Sequence, residues 1–72
     1  MNTNKELGMR IRYLRESKKM TLEDLAFDAE MNKNYLSDLE RGNRNPTVVI
    51  LTRISKALGI SLEELVKGIR TY

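Results

Sequence analysis

Residues 21–42, TLEDLAFDAEMNKNYLSDLERG, decide how this chain folds. They read as two short helices joined by a turn of about three or four residues, because each helix start is marked twice. Thr21 can accept a backbone N–H as N-cap, and Asp24 can reach back to the Thr21 N–H in an acidic version of the capping box. Met20 before the cap and Leu25 after it have the spacing of a hydrophobic staple. Asn32 repeats the arrangement, with Met31 and Leu36 as its staple. Gly42 closes the second helix, at a place where left-handed backbone is usual and a side chain costly. Between the caps, Leu25, Ala26, Ala29, Leu36 and Leu39 form one apolar face, and the two alanines let the helices approach closely. Helices this short bury too little apolar surface to stand alone, so the rest of the chain must supply the floor.

That floor also reads as helix. Leu7, Ile11 and Leu14 recur at the spacing of one helical face, predicting a first helix over residues 5–19 with Thr3 or Asn4 as cap. GNRNPT, residues 42–47, is the one stretch rich in Gly, Pro and Asn, and Pro46 drives its predecessor out of helical geometry. Thr47 then caps a fourth helix over residues 48–58 that buries Leu51, Ile54 and Leu58. Gly59 stops it, with Ile60 folding back on Ile54 in a Schellman-type close. Ser61 and Glu64 form a capping box stapled by Ile60 and Leu65, and the fifth helix runs through Leu62, Leu65 and Val66 to about residue 67, where Gly68 ends it. The expectation is an all-α, five-helix domain occupying residues 1–72, with its core over about residues 5–68.

Composition narrows the chemistry. A chain of 72 residues lies near the lower limit for an independent core. No stretch approaches the length of an apolar membrane span and no signal peptide is visible, so a cytoplasmic protein is expected. With no cysteine and no histidine, neither a disulfide staple, a zinc site nor a histidine base is available, and no cofactor or metal is expected. Enzymatic function is not expected either, since there is no paired carboxylate in an apolar cleft and no Gly-rich phosphate loop. The net charge of +3 is unevenly spread. Residues 1–20 carry six Lys/Arg against two acids, residues 21–31 carry four acids and no base, and Lys33, Arg41 and Arg44 restore positive charge beyond them. Such segregation suits a protein with one face toward phosphate and another toward water.

The chain resembles the Cro/repressor-type helix-turn-helix domains, also called the xenobiotic-response-element type. The resemblance is carried by IRYLRESKKMT (11–21), LEDLA (22–26), YLSDLERG (35–42), RNPT (44–47) and ISKALGISLEEL (54–65), and spans roughly Gly8 to Gly68. YLSDLERGNRN (35–45) looks most like the small controller proteins of restriction–modification systems. The resemblance implies a lambda-repressor-like DNA-binding domain, with the helix-turn-helix at helices two and three and residues 33–41 as a recognition helix in the major groove. It places Lys33, Asn34, Ser37 and Asp38 among the base readers, and Arg44 can also reach a base edge. Lysine can donate to guanine, asparagine can pair bidentately with adenine, and serine can bond base or phosphate. Asp38 can accept from cytosine N4, or it can hold Arg41, three residues on, toward a phosphate. Thr21, Arg41, Asn43 and Asn45 match phosphate anchors, and Tyr35 can either put its hydroxyl on a phosphate or pack. Arg15 and Glu40 match the family's internal ion pair, which orients more surely than it stabilises.

Three positions of the motif depart from the family pattern. Leu22 replaces a common glutamine and cannot bond a phosphate. Glu30 replaces a common turn glycine, so the turn is either strained or built differently. Phe27, at a usually polar position, either covers the junction of the first two helices or forms an exposed patch. Val49 and Ile50, with Leu51, make the fourth helix apolar around more of its circumference than one core face requires. A homodimer interface of Val49, Ile50, Arg53, Ile69 and Tyr72 is the reading that follows, against tighter packing under the fifth helix. Two or three base readers, at about 1–3 kcal/mol each, cannot single out one genomic site, which also argues for two copies on a pseudo-palindrome. The sequence thus points to a transcriptional regulator of operator DNA, with RNA polymerase as a further candidate partner. The alternative is a protein-interaction module, such as an antitoxin or a partner-controlled regulator.

Overall fold

The computed structural model describes residues 3–69, and among these it contains five helices and no strand. They are α1 (Thr3–Ser17), α2 (Leu22–Asp28), α3 (Lys33–Glu40), α4 (Val48–Leu58) and α5 (Leu62–Leu65). α1 packs against α3, α2 against α3 and α4, and α4 against α5. Ile11, Leu25, Leu36, Leu39, Ile54, Leu58 and Leu65 are fully buried where these helices meet, with Leu7, Ala26 and Ala29 beside them. No helix among the described residues is long and apolar enough to cross a membrane.

The helix starts follow the side chains that cap them. The Thr21 hydroxyl accepts from the Asp24 N–H at 3.0 Å, and the Asp24 carboxylate accepts from the Thr21 N–H at 2.9 Å, so the capping box is complete. The Asn32 side chain accepts from the Asn34 and Tyr35 N–H groups, and Thr47 caps α4 through the Ile50 N–H. Ser61 caps α5 in the same way, but its box is only half made. The Glu64 carboxylate instead accepts from Arg10 at 2.8 Å, because a guanidinium is a stronger partner than a backbone N–H.

Four helix ends share one device. In each, a residue at or just past the cap takes left-handed backbone, and the next N–H bonds back to the carbonyl five residues earlier. Those bonds are Met20 to Arg15, Met31 to Ala26, Asn43 to Asp38 and Ile60 to Ser55. The left-handed residues are Lys19, Glu30, Gly42 and Gly59. Glu30, at φ 56, therefore adopts the conformation of the glycine it replaces, and the turn is strained rather than rebuilt. Lys19, at φ 58, ends α1 at Ser17, short of the expected residue 19, while Thr3 and Asn4 lie inside the helix rather than capping it. α5 likewise stops at Leu65, not residue 67, where the Arg10 guanidinium takes the Glu64 and Leu65 carbonyls.

Leu51, expected in the core, is half-buried and lines an open apolar groove of about 300 Å³ with Thr3, Leu7, Val66 and Ile69. Phe27 is 83% exposed and covers no junction. Leu22 packs partly on the core, so its side chain serves packing where a polar one would face outward.

Two substitutions separate the uses of left-handed backbone. Glu30→Gly removes strain in an exposed turn and should raise stability by about 0.5–1 kcal/mol, the gain being reduced by glycine's greater unfolded-state entropy. Gly42→Ala meets both a φ of 82° and the Lys5 Cα, 2.7 Å from the new Cβ. It should cost about 2–4 kcal/mol. Urea unfolding midpoints of the two variants against the parent check both signs.

Candidate nucleic-acid interface

α3 has two faces with different duties. Leu36 and Leu39 point inward and are fully buried, while Lys33 and Asn34 stand exposed at the helix start and Ser37 is half-buried on the next turn. The inner face is fixed to α1 by two contacts. At Gly8 the backbones of α1 and α3 come so close that a Cβ would collide with the Leu39 and Glu40 carbonyl oxygens. In the last turn of α1, Arg15 donates to both Glu40 oxygens, Nε at 2.7 Å and Nη2 at 3.0 Å. Its remaining arm donates to the Met20 carbonyl at 2.9 Å, tying the pair to the left-handed close of α1.

The side chains of this pair are 12% and 7% exposed, and the fork-to-fork geometry fixes the direction of both. The Glu40 carboxylate, chiefly through these hydrogen bonds, holds the Arg15 guanidinium above its ordinary range. Arg15 and Glu40 thus set the depth and angle of α3 and are taken up by each other, away from the exposed edge.

At the C-terminal end of α3 the side chains form a chain of charges. The Asp38 carboxylate accepts from Arg41 at 2.7 Å through one oxygen and from Arg44 at 3.4 Å through the other. Arg44 in turn lies over the Tyr35 ring, 5.3 Å from its centre, within cation–π range. The Arg41 guanidinium first, with Arg44 beside it, holds the Asp38 carboxyl below the usual carboxylate range. Asp38 is therefore a hub that aligns two arginines, and the half-buried Tyr35 ring is packed beneath the second of them. Asn43 and Asn45 are exposed on the loop that follows.

At the other end, the Lys33 ammonium reaches across the turn to Glu23 of α2 at 3.3 Å. Thr21 remains exposed, its oxygen accepting from Asp24 while its proton is available to donate. On α4, Val49 and Arg53 are exposed, Ile50 is half-buried against the core, and Ile69 is half-buried past α5. Tyr72 lies outside the described residues.

Four participants escaped the sequence reading. Gly8 looked like an ordinary mid-helix residue, since nothing local marks a close backbone approach. Arg10 makes its bonds across 54 and 55 positions, a distance at which spacing carries no information. The Glu23–Lys33 pair had a trace in the acid-only run of α2 facing the first base of α3. The Arg44 bond to Asp38 needed the path of the loop, which residue types alone do not give.

Comparisons with known proteins agree with this geometry. The helix-turn-helix family model matches residues 11–65. The HTH-type transcriptional regulator y4dJ of Sinorhizobium fredii is 42% identical over 66 residues, covering 92% of this chain and 86% of that protein. The structure of the restriction–modification controller protein C.AhdI from Aeromonas hydrophila superposes with a TM-score of 0.85 at 35% identity, over 86% of this chain and 94% of that one. The biofilm regulator SinR, solved in complex with DNA, superposes with a TM-score of 0.79 at 35% identity, over 85% of this chain and 98% of that one.

The two ion pairs at α3 should differ sharply in worth. Glu40→Gln leaves the buried Arg15 with only the exposed Glu16 carboxylate, 4.0 Å away, and should cost about 3 kcal/mol. Glu23→Gln breaks an exposed pair and should change stability by less than about 1 kcal/mol. For the depressed Asp24 and Asp38 carboxyls the folded-state pKa lies below the unfolded one. Their contribution is complete above the unfolded value of about 4 and is lost as pH falls through the folded values. Melting temperature should therefore drop on acidification below about pH 4, and Asp24→Asn should flatten that limb while lowering the plateau at pH 7.

Proposed function

The chain belongs to the helix-turn-helix family, and from that membership we propose that it is a sequence-specific DNA-binding transcriptional regulator that occupies a pseudo-palindromic operator as a homodimer. α3 enters the major groove. The observation that carries this reading is the polarity of α3, whose inner face is locked to α1 by Gly8 and the Arg15–Glu40 pair while Lys33, Asn34 and Ser37 occupy the outer edge. A reading helix must present polar side chains at its start and hold a fixed angle, and both features support this reading.

In this reading Lys33, Asn34 and Ser37 contact base edges, and Arg44 reaches either a base or a phosphate. Thr21, Arg41, Asn43 and Asn45 grip the backbone on either side, with the Tyr35 hydroxyl beside them. Asp38 orients Arg41 and Arg44 rather than reading cytosine, since both of its oxygens already face guanidinium groups. Two copies associate through Val49, Ile50, Arg53 and Ile69, with Tyr72 as a further contact. Half-sites then lie about one helical turn, ~34–36 Å, apart. The likeness to C.AhdI supports a restriction–modification controller in particular. Residues 1–72 act in the cytoplasm as the DNA-binding domain, without metal, cofactor or catalysis, by occupying a promoter or contacting RNA polymerase.

Exposed Phe27, together with Val48 and Val49, favours one second reading, a regulator whose main contact is a foreign protein. Sedimentation separates the two: a monomer that associates only with another protein would support the second.

Binding to operator DNA should weaken steeply with salt, log K falling with a slope of about −0.9 per neutralised phosphate. Lys33→Ala and Asn34→Ala should each lose about 1–3 kcal/mol of discrimination at one base position, whereas Arg44→Ala should weaken all sites together. Affinity that stays flat between low and moderate salt would contradict the proposal.

A further inference from the structure

Lys33, the first residue of α3, has a partner before any DNA arrives. Its ammonium lies 3.3 Å from the Glu23 carboxylate, and both side chains are more than half exposed, so the contact is open to exchange. The pair joins the two helices of the motif across their turn. Residues 21–31 hold four acids and no base, so Lys33 is drawn toward a helix of the opposite sign. Neither side chain is needed to complete the core, and the bond contributes little to stability.

We infer that Glu23 is a positioning residue that sets DNA affinity, an internal competitor that holds Lys33 neutralised until a base edge takes its place. The inference rests on the proposed DNA-reading role of α3. On a site with the correct base, Lys33 exchanges the carboxylate for base-edge acceptors in a partly dehydrated groove, where two acceptors in fixed geometry outdo one mobile carboxylate. On any other sequence the available partners are phosphates, and the exchange gains little. Lys33 then stays with Glu23 and neutralises no phosphate. The specific complex gives up the whole pair, whereas a non-specific one forgoes at most an equal gain, so Glu23 lowers affinity for the preferred site at least as much as for other DNA. It acts through Lys33 and contacts no base itself.

The experiment compares the full chain and Glu23→Gln on two duplexes: a preferred site recovered by selection from a random pool, and a random duplex of equal length. Glu23→Gln should tighten binding to the selected site by about threefold and to the random duplex by no more than that. Its salt slope on the random duplex should steepen by about 0.9, the signature of one more phosphate neutralised, with the selected-site slope unchanged. In a Lys33→Ala background the same substitution should lose both the tightening and this slope change. Tightening that is larger on the random duplex, or that survives Lys33→Ala, would overturn the competitor role and leave only general repulsion. No change on either duplex would overturn it as well. A parent chain that selects no site and binds neither duplex would instead remove the DNA-reading role on which the inference stands.

Discussion

Everything exposed on α3 depends on what is hidden behind it. Its C-terminal half is pressed against α1 at Gly8, where no side chain fits, and is held there by the buried Arg15–Glu40 fork. A contact between two backbones defines distance, and a bidentate ion pair defines rotation, so together they leave α3 little freedom to roll. In a domain this small, apolar burial alone gives a modest margin. The ion pair adds orientation more than net stability, because two charges had to leave water to form it. Breaking one side of it therefore harms both fold and presentation, although neither residue faces outward.

With the helix fixed, the outer edge can be assembled from groups that neutralise one another. Lys33 is paired with Glu23 at one end, and Arg41 and Arg44 share Asp38 at the other. Each cation thus starts from a defined direction with its charge partly cancelled. This ordering lowers the entropy lost when a long side chain is immobilised on a ligand, and it sets a threshold that a polyanion must overcome. An edge built this way trades gross affinity for defined directions.

Much of the architecture was legible because it is written locally. Thr21 with Asp24, Asn32, and Thr47 mark helix starts within a few residues of the bonds they make, and α4 occupies the predicted residues. Glu30 stood out against the family pattern, which commonly has glycine at that turn, and its positive φ follows from the same geometry. The illegible parts are those where distant segments meet. Arg10 draws Glu64 out of its capping box and shortens α5, an outcome that depends on a helix more than fifty residues away. Lys33, Asn34 and Ser37 were singled out by the family resemblance, but the partners that restrain the basic residues came from α2 and the loop after α3. Periodicity gives faces, whereas pairing across a turn requires the fold.

If two copies of this chain each set α3 into one major groove of an operator, hydroxyl-radical footprinting over DNA upstream of the protein's own reading frame will reveal it. Two protected segments related by two-fold symmetry are expected, their centres about 10–10.5 base pairs or a whole multiple apart. A single protected segment saturating at one chain per duplex, or uniform protection with no defined edges, would contradict it.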